Sequence, residues 1–364
     1  MFNSKVSIIY LCWADEPQKY LAEALESIKN QTYPKEFLQL VIVYNGPREG
    51  ETSSIDYIRS EIFQRQADLP ATVVLEPGSN VGFSAGNNFG ARYAVEQGAD
   101  YVFLHNADGY LAPEAITELV KVMETNKNVG QCQPLILLHP ETELINSAGN
   151  NLHYLGIGYC YKYRQPYKKT MAEIYDTGYV SGAGAFMRAD LLRQHGYWNE
   201  HFFLYHEDTE YTLRLVSLGY RAVSVNQAIF YHKYSFSGKP NKMFWIERNR
   251  HALQLMFYRW PTLILILPME IVFNLGLVIL ALIQGWFKEL MDVYVYWLAP
   301  ANWRQWLADR RVIQQNRTVG DNRLLSRMTG RIDFTGLKIP KIILLLANLV
   351  FTLYFFLLKI LIWW

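Results

Sequence analysis

Short apolar runs alternate with amphipathic segments along the first 125 residues of the chain. In residues 19–29, for example, Leu21, Leu25 and Ile28 recur at the spacing of one helical face. Such alternation is typical of an α/β fold with a mostly parallel sheet, right-handed crossovers and flanking helices, and we predict that fold here. The predicted strands are residues 6–11, 40–44, 71–75 and 101–105, and the predicted helices are residues 19–29, 53–66, 89–96 and 113–125.

Near residue 245 the apolar pattern changes from short runs to long stretches. Two later segments, residues 261–287 and 342–364, are each long enough to cross about 30 Å of hydrocarbon. A basic, amphipathic linker at residues 288–341 lies between them. We therefore predict a soluble catalytic domain at residues 1–245 and a helical membrane-association region at residues 246–364.

The distribution of charged residues constrains the membrane topology of these two segments. Residues 284–341 hold ten Lys or Arg and five Asp or Glu, so this stretch is expected on the cytosolic side. Two full spans would place it outside the cell if the soluble domain is cytosolic. We therefore expect the first segment, which contains Pro268 and Glu270, to be re-entrant or to lie in the interface, and two ordinary spans remain the alternative.

Aromatic and basic side chains around these segments predict a surface that attracts anionic lipid. They fall into two groups, one in the linker and one near the end of the soluble domain. The two groups are Trp303, Trp306, Arg310 and Arg311, and then Lys233, Lys239, Lys242, Arg248 and Arg250.

Composition narrows the class of protein. A formal net charge of +2 is too small to indicate nucleic-acid binding. Three widely spaced cysteines fit a reducing compartment better than a disulfide framework or a zinc site. The opening residues lead into a strand without a basic region, so we expect no signal peptide and a cytosolic soluble domain.

The strand at residues 101–105 leads into a polar tip with Asn106 and Asp108. Ligands of α/β folds collect at the carboxyl ends of strands, where an oxygen-rich pair suits Mg²⁺ or Mn²⁺ and substrate phosphates. Asn, Asp and the following Gly109 are also turn formers, so a simple turn is the alternative.

A glycine-rich block at residues 80–90 carries Gly82, Gly86 and Gly90 at helical spacing. It is not the dinucleotide-binding fingerprint, G-x-G-x-x-G. The spacing predicts a helix face without side chains that packs closely on the sheet, with Asn80 or Ser84 as a cap. Backbone donors near a nucleotide would be an additional role.

Two further polar features occur late in the soluble part. Glu207 and Asp208 open a helix-like run, where acids are often only dipole partners, although one of them could accept a proton from a hydroxyl. The aromatic stretch before them includes Trp198, which suits stacking against a sugar. His232 alone would more often be structural than a metal ligand.

Taken in order, these motifs resemble the family 2 glycosyltransferases with the GT-A fold, in particular the rhamnosyltransferase-like, O-antigen-type branch. The resemblance covers roughly residues 5–250. It rests on the opening strand, the asparagine-glycine block, the Asn106-Ala-Asp108 tip, Val180-Ser-Gly-Ala-Gly-Ala-Phe-Met-Arg188, the segment from Gly196 to Asp208, Gly219-Tyr-Arg-Ala and His232.

The resemblance implies roles by position. Asp108 and His232 would hold a divalent cation, Mn²⁺ or Mg²⁺, and Asp208 would be the catalytic base with Glu207 beside it. Trp198 would lie on the acceptor side. The implied nucleotide-sugar-binding residues are Asn45, Asn80, Gly82, Asn106, Asp108 and Gly182.

A departure from the family pattern bears on the nucleobase, and a second feature bears on processivity. The family's second strand commonly ends in Asp-Asn-Gly-Ser, whose Asp reads the nucleobase, whereas this chain has Tyr44-Asn-Gly-Pro47. Asn45 would have to replace that acid. Processive members carry Q-x-x-R-W, but Gln254 and Arg259-Trp260 have another spacing, which favours addition of one sugar per encounter.

The sequence thus predicts a metal-dependent inverting glycosyltransferase. It would move one sugar from a UDP-, dTDP- or GDP-linked donor to a lipid-linked or saccharide acceptor. Membrane lipid would be a partner, and the catalytic domain would lie on the cytoplasmic side of the cell membrane. A catalytically silent scaffold of the same fold and a nucleotidyltransferase are the alternatives.

Overall fold

The computed structural model describes residues 2–14, 16–47, 53–169, 171–234, 240–333 and 339–364. The chain forms two compact units. The first unit comprises Met1–Asn150, Cys160–Phe203 and Arg221–Tyr234, and the second comprises Asn151–Tyr159, Leu204–Tyr220 and Ser235–Trp364. The predicted division between residues 245 and 246 remains a prediction.

A mixed sheet forms the centre of the first unit. Its main path runs in the order β10-β12-β6-β11-β4-β1-β2-β3, while β5 pairs with β12 and β7 with β6; β8 and β9 form a separate two-stranded sheet. The strands are β1 Val6–Cys12, β2 Leu38–Tyr44, β3 Ala71–Leu75, β4 Tyr101–Asn106, β5 Gly109–Leu111, β6 Val129–Leu138, β7 Ile145–Ser147, β8 Asn150–Leu152, β9 Gly158–Cys160, β10 Ile174–Asp176, β11 Gly184–Arg188 and β12 Arg221–His232.

The four predicted strands are confirmed as β1 to β4, which pair in parallel. All seven residues of β1 are buried, as expected for an apolar strand covered on both faces. The predicted fold class is therefore confirmed. The sheet is mixed because β11 runs antiparallel to both β4 and β6, and short strands that lack a clear apolar pattern complete it.

Among its described residues, the first unit has five α-helices. The predicted helices at residues 19–29, 53–66 and 113–125 are confirmed with small shifts at their ends, whereas the one predicted at residues 89–96 begins seven residues earlier. The helices are α1 Gln18–Lys29, α2 Ile55–Arg65, α3 Gly82–Glu96, α4 Ala115–Thr125 and α5 Ala189–His195.

Helix α3 extends through its glycines because it packs closely on the sheet. A Cβ atom at Gly86 would lie 2.7 Å from the Leu11 side chain, and one at Gly90 would lie 2.7 Å from Ile9 and 2.8 Å from Val43. Glycine is a poor helix former in isolation, so tertiary contact decides the start of this helix. The close packing predicted for this block is confirmed.

The second unit is helical. Two apolar clusters form its core, one around Tyr154, Tyr258 and Phe355 and the other around Leu277 and Trp286. The helices are α6 Glu207–Ser217, α7 Pro240–Phe257, α8 Trp260–Gln284, α9 Phe287–Leu298, α10 Pro300–Asn316, α11 Asp321–Leu325 and α12 Lys341–Leu361.

Helices α8 and α12 correspond to the two apolar segments predicted for the membrane. They contain 25 and 21 residues, and by length and composition both are able to cross a membrane. Exposed apolar side chains such as Ile264, Leu275 and Leu353 point away from the helical core. Whether α8 spans or is re-entrant remains a prediction.

Glu270, the acidic residue of α8, has partners within the second unit. The carboxylate of Glu270 accepts hydrogen bonds from Arg250 Nη1 at 2.7 Å and from Gln254 Nε2 at 3.0 Å. Arg250 also bonds Glu247 at 2.8 Å. One edge of α8 is therefore fixed to α7 by an ion pair.

Burial corrects part of the predicted lipid-facing surface. Trp306 and Arg310 are 1% and 7% exposed, and Arg248 and Arg250 are 7% and 1% exposed. Arg310 Nη1 donates to the carbonyls of Leu255 and Tyr258, so this guanidinium closes a helix end instead of meeting lipid. These four side chains are structural, and Lys239 lies outside the described residues.

Candidate metal and acid sites

Strand pairing brings Asp108 and His232 together. Asp108 follows the end of β4 and precedes β5, and β5 runs antiparallel to β12 with Gly109 opposite His232. The backbone N–H of Lys233 donates to the carbonyl of Asp108 at 2.9 Å. The β5–β12 pairing thus brings together two side chains that are 124 residues apart in sequence. The sequence analysis predicted that these two side chains would lie close together.

Three polar side chains meet at this tip. His232 Nε2 lies 2.9 Å from Asp108 Oδ1 and 3.3 Å from Asn106 Nδ2. Asn106 Nδ2 also donates to Asp108 Oδ1 at 2.6 Å. The side chain of Asp108 is 34% exposed and that of His232 is 8% exposed, so the carboxylate is the part that a ligand can reach.

Asn146, in β7, fixes the orientation of the imidazole, and sequence reasoning missed it. Its Oδ1 lies 2.9 Å from His232 Nδ1, and the residue is 2% exposed. An amide oxygen accepts, so Nδ1 carries a proton there and Nε2 faces Asp108. Ligating histidines are commonly oriented in this way by a partner on the other nitrogen.

The Asp108 carboxyl is charged at neutral pH. Burial acts to raise its pKa, but the hydrogen bond and charge of His232 act in the opposite direction and bring the pKa below its ordinary value. The neighbouring His105 is 1% exposed, and burial lowers its pKa to about 4. The tip therefore combines the anionic carboxylate of Asp108 with the neutral, buried imidazole of His105.

The donor atoms at this tip fit a divalent cation. Neighbouring ligands of an ion with bonds of about 2.1 Å lie about 3.0 Å apart, and the Asp108–His232 separation is 2.9 Å. In the described part of the chain, no three His, Cys, Asp or Glu side chains cluster closely enough to hold a metal ion. Substrate phosphates and water commonly supply further oxygen ligands to such an ion.

The residues predicted to bind the nucleotide sugar organise the start of α3. The amide of Asn45 is fully buried; its Nδ2 donates to the Gly82 carbonyl at 3.1 Å and its Oδ1 accepts from Val81 N at 3.0 Å. Asn80 Oδ1 accepts from Gly82 N at 3.1 Å. Gly82 has φ +87°, and a Cβ there would lie 2.7 Å from the Phe203 ring. These contacts give Asn45, Asn80 and Gly82 a structural role at the start of α3. Their roles in binding the nucleotide sugar remain predictions.

Gly182 and Trp198 also lie in the first unit. Gly182 is in the buried turn before β11, and the next residue, Ala183, accepts a hydrogen bond from Asn106 N at 3.1 Å, so this turn lies beside the polar tip. Trp198 is 4% exposed, and its backbone bonds the amide of Asn88. Its burial favours a packing role, and the acceptor-side role remains a prediction.

The acid pair opens α6 in the second unit. Glu207, Asp208 and Glu210 all lie in the first helical turn, where the helix dipole favours negative charge. Asp208 Oδ1 accepts from Thr209 N at 2.7 Å and from Thr209 Oγ1 at 3.2 Å. Within the described residues, Oε2 of Glu207 is buried without a hydrogen-bond partner.

Burial favours the protonated form of Glu207. The residue is 5% exposed, and burial, followed by the charge of Asp208, raises the pKa of its carboxyl well above the ordinary value. Two adjacent carboxyl groups with different surroundings can hold different protonation states.

Residues 4–254 match the model of a family described as glycosyltransferase like family 2. Over 144 residues the chain is 28% identical to the low-salt glycan biosynthesis hexosyltransferase Agl10 of Haloferax volcanii. This match covers 38% of the chain and 45% of Agl10, so the chain spans less than half the length of that relative.

Solved structures show a likeness of fold. GalNAc-T7 with UDP, GalNAc and Mn²⁺ is 15% identical with a TM-score of 0.54, over 71% of this chain and 51% of that one. The mannosyltransferase PcManGT of Pyrobaculum calidifontis, in complex with GDP-Man and Mn²⁺, is 13% identical with a TM-score of 0.49, over 86% of each chain.

Proposed function

The chain belongs to the family 2-like glycosyltransferases, and from this premise we propose that it is a metal-dependent, inverting hexosyltransferase. It moves one sugar from a nucleotide-sugar donor to a hydroxyl of a lipid-linked or saccharide acceptor. The observation that carries the proposal is the Asp108–His232 pair, joined at 2.9 Å by the β5–β12 register. The hexosyltransferase name of Agl10 supports the sugar class.

We assign the cation to Asp108 and His232, with Asn106 beside them. A bound divalent ion would stabilise the charge of the departing nucleoside diphosphate. The imidazole nitrogen favours Mn²⁺ over Mg²⁺, because Mg²⁺ takes oxygen ligands almost exclusively. Both structural neighbours named above contain Mn²⁺.

Asp208 acts as the base in this proposal. Its carboxylate accepts the proton of the acceptor hydroxyl while that oxygen bonds to the anomeric carbon, and the bond from this carbon to the diphosphate oxygen breaks. The diphosphate leaves with the bonding electron pair, and the configuration at the carbon inverts. Glu207 remains protonated, since burial raises its pKa, and it does not compete for the proton.

Helices α8 and α12 support a membrane-linked acceptor. Their exposed apolar side chains give the second unit a surface suited to lipid, and a lipid-linked saccharide would be held at that surface. We propose that the acid pair faces the cytoplasm, where nucleotide sugars are available. The nucleobase remains open, because Asn45 is engaged with the backbone of α3.

The proposal is tested by ligand binding and product release. The full-length protein is purified in detergent and its thermal unfolding is followed with UDP, dTDP or GDP, each with Mn²⁺, with Mg²⁺ or with EDTA. We expect one nucleotide to raise the melting temperature, and only with a metal. Donor sugars of the preferred base should then release nucleoside diphosphate. Equal responses to all nucleotides with no release would indicate a silent scaffold, and release of pyrophosphate from a nucleoside triphosphate supplied with a sugar 1-phosphate would indicate a nucleotidyltransferase.

Replacing Asn146 by alanine is expected to weaken Mn²⁺ binding by about 10- to 100-fold, because the acceptor that orients His232 is lost. Titration of Mn²⁺ in the presence of the preferred nucleotide measures the effect. Ser147→Ala is the matched control: Ser147 is the next residue of β7, is equally buried and bonds Gly149 and Asn150. Unchanged Mn²⁺ affinity in a folded Asn146→Ala variant would contradict the role.

A further inference from the structure

The turn before α6 has an unusual backbone. Tyr205 and His206 both have φ of 67°, in the left-handed region that residues with a Cβ rarely adopt. Such conformations persist only when surrounding groups hold them. The next two residues along the chain are Glu207 and Asp208. The turn therefore sets the direction in which both acids leave the backbone.

A buried asparagine of α7 holds this turn. Asn249 is fully buried, and its Nδ2 donates to the carbonyls of Leu204 at 3.0 Å and Tyr205 at 2.7 Å. One amide thus bridges two successive peptide units on the left-handed segment. All of these residues belong to the second unit.

The orientation of that amide is itself fixed. Asn249 Oδ1 accepts from Arg248 Nε at 2.9 Å and from Arg248 Nη2 at 2.7 Å, so its NH₂ group points to the turn. The Arg248 guanidinium is 4.4 Å from the Trp245 ring centroid and 5.6 Å from those of Tyr296 and Trp306. Aromatic side chains of α7, α9 and α10 therefore hold the arginine that orients the asparagine.

We propose that Asn249 is a positioning residue that holds Asp208 in place for proton transfer by clamping residues 204–206. The inference rests on the proposed function, since it concerns the base of that reaction. A displacement of about 1 Å at a catalytic group can cost roughly 100-fold in rate. The clamp acts on the acid pair, not on the Asp108–His232 pair, so it governs turnover and leaves nucleotide binding unchanged.

The test is Asn249→Leu in the full chain, which keeps the branched shape of the side chain and removes both hydrogen bonds to the turn together with the two accepted from Arg248. We expect kcat to fall by about 10- to 100-fold while the Kd of the preferred nucleoside diphosphate with Mn²⁺ stays within about twofold. The matched control is Asn348→Leu. Asn348 also bridges a loop through two backbone bonds, to Ile332 O at 2.8 Å and from Ile332 N at 2.7 Å. The Asn348→Leu variant should have a lower melting temperature and an unchanged kcat.

Rescue separates positioning from a general loss of structure. Glycine adopts φ of 67° without strain, so Tyr205→Gly in the Asn249→Leu background should restore part of kcat. If Asn249→Leu does not fold, Asn249→Ser, which keeps one donor, carries the same test. A folded Asn249 variant with wild-type kcat, or with kcat and nucleotide affinity reduced equally, overturns the clamp.

Hydrogen exchange tests the clamp independently of activity. The backbone amides of residues 205–209 should exchange faster in Asn249→Leu than in the wild type, and not in Asn348→Leu. Unchanged exchange at these amides overturns the clamp even if the enzyme is active. Absence of nucleotide binding and release in the wild type would instead overturn the proposed function, and the two failures are therefore distinguishable.

Discussion

Replacing Asp208 by asparagine is expected to lower kcat by about 10²- to 10⁴-fold, the range for loss of a general base. The amide keeps the shape of the carboxylate and cannot accept the proton. Its Oδ1 still accepts from Thr209, so the start of α6 should remain folded. Release of nucleoside diphosphate from the preferred donor measures the loss, and binding of nucleotide with Mn²⁺ should stay near the wild-type level.

Glu207→Gln is the matched control for this prediction. Burial keeps Glu207 protonated, and glutamine is the isostere of a neutral carboxylic acid. We expect this variant to turn over at least about tenfold faster than Asp208→Asn. If the two variants were equally inactive, the general base would be Glu207 or the two acids acting together. Full activity of Asp208→Asn would remove the acid pair from the mechanism.

Loss of the Asp108–His232 pair is expected to have the second large effect. Asp108→Asn and His232→Ala should each lower kcat/KM on the order of 10³-fold, because a bound cation contributes several kcal/mol of charge stabilisation and each 1.4 kcal/mol is a factor of ten. The same variants should lose the stabilisation of the protein by nucleotide with Mn²⁺. Isothermal titration of Mn²⁺ with the preferred nucleoside diphosphate measures the second effect.

Asp100→Asn is the matched control for the aspartate. Asp100 stands at the other end of the strand that leads to Asp108, and its Oδ2 accepts from Lys5 N at 2.8 Å. The change removes the same charge from the same strand, yet we expect no effect on Mn²⁺ affinity. If Asp108→Asn binds Mn²⁺ as tightly as Asp100→Asn, the metal assignment fails.

The parallel half of the sheet could be predicted from sequence because its strands are buried on both faces. Their near-continuous apolar runs at residues 6–11 and 101–105 correspond to β1 and β4. The start of α3 could not be predicted in the same way. Glycine disfavours helix by local propensity, and the close packing of Gly86 on Leu11 and of Gly90 on Ile9 and Val43 becomes visible only in the folded sheet.

The Asp108–His232 pair could be predicted from the sequence, but the residue that orients its imidazole could not. Asp108 and His232 carry side chains of metal-binding type, and the order of the motifs along the chain is what paired them in the prediction. Asn146 is a single amide in a strand of three residues, too short for any periodicity, and only the pairing of β7 with β6 places it behind His232. Partners that orient a ligand depend on register and leave little trace in local sequence.

Part of the basic surface near the membrane helices, namely Trp306, Arg310, Arg248 and Arg250, was predicted wrongly for a physical reason. Arginine beside tryptophan is typical of a lipid interface, but it is equally typical of a buried cation on aromatic faces. Arg310 lies 4.2 Å from the Trp260 ring centroid, and Arg248 lies in a similar setting. The amino-acid types are the same in both cases, and only the burial of the side chain distinguishes an arginine packed on aromatic rings from one that faces lipid.

The ion pair between Arg250 and Glu270 fixes the axial position of α8. A slide of one helical turn, about 5.4 Å, would separate a guanidinium and a carboxylate that are 2.7 Å apart in the structure. Breaking such a buried pair costs about 3–5 kcal/mol. We therefore expect α7 and α8 to move as one body, so that a bilayer whose thickness did not match α8 would have to adjust around both helices together.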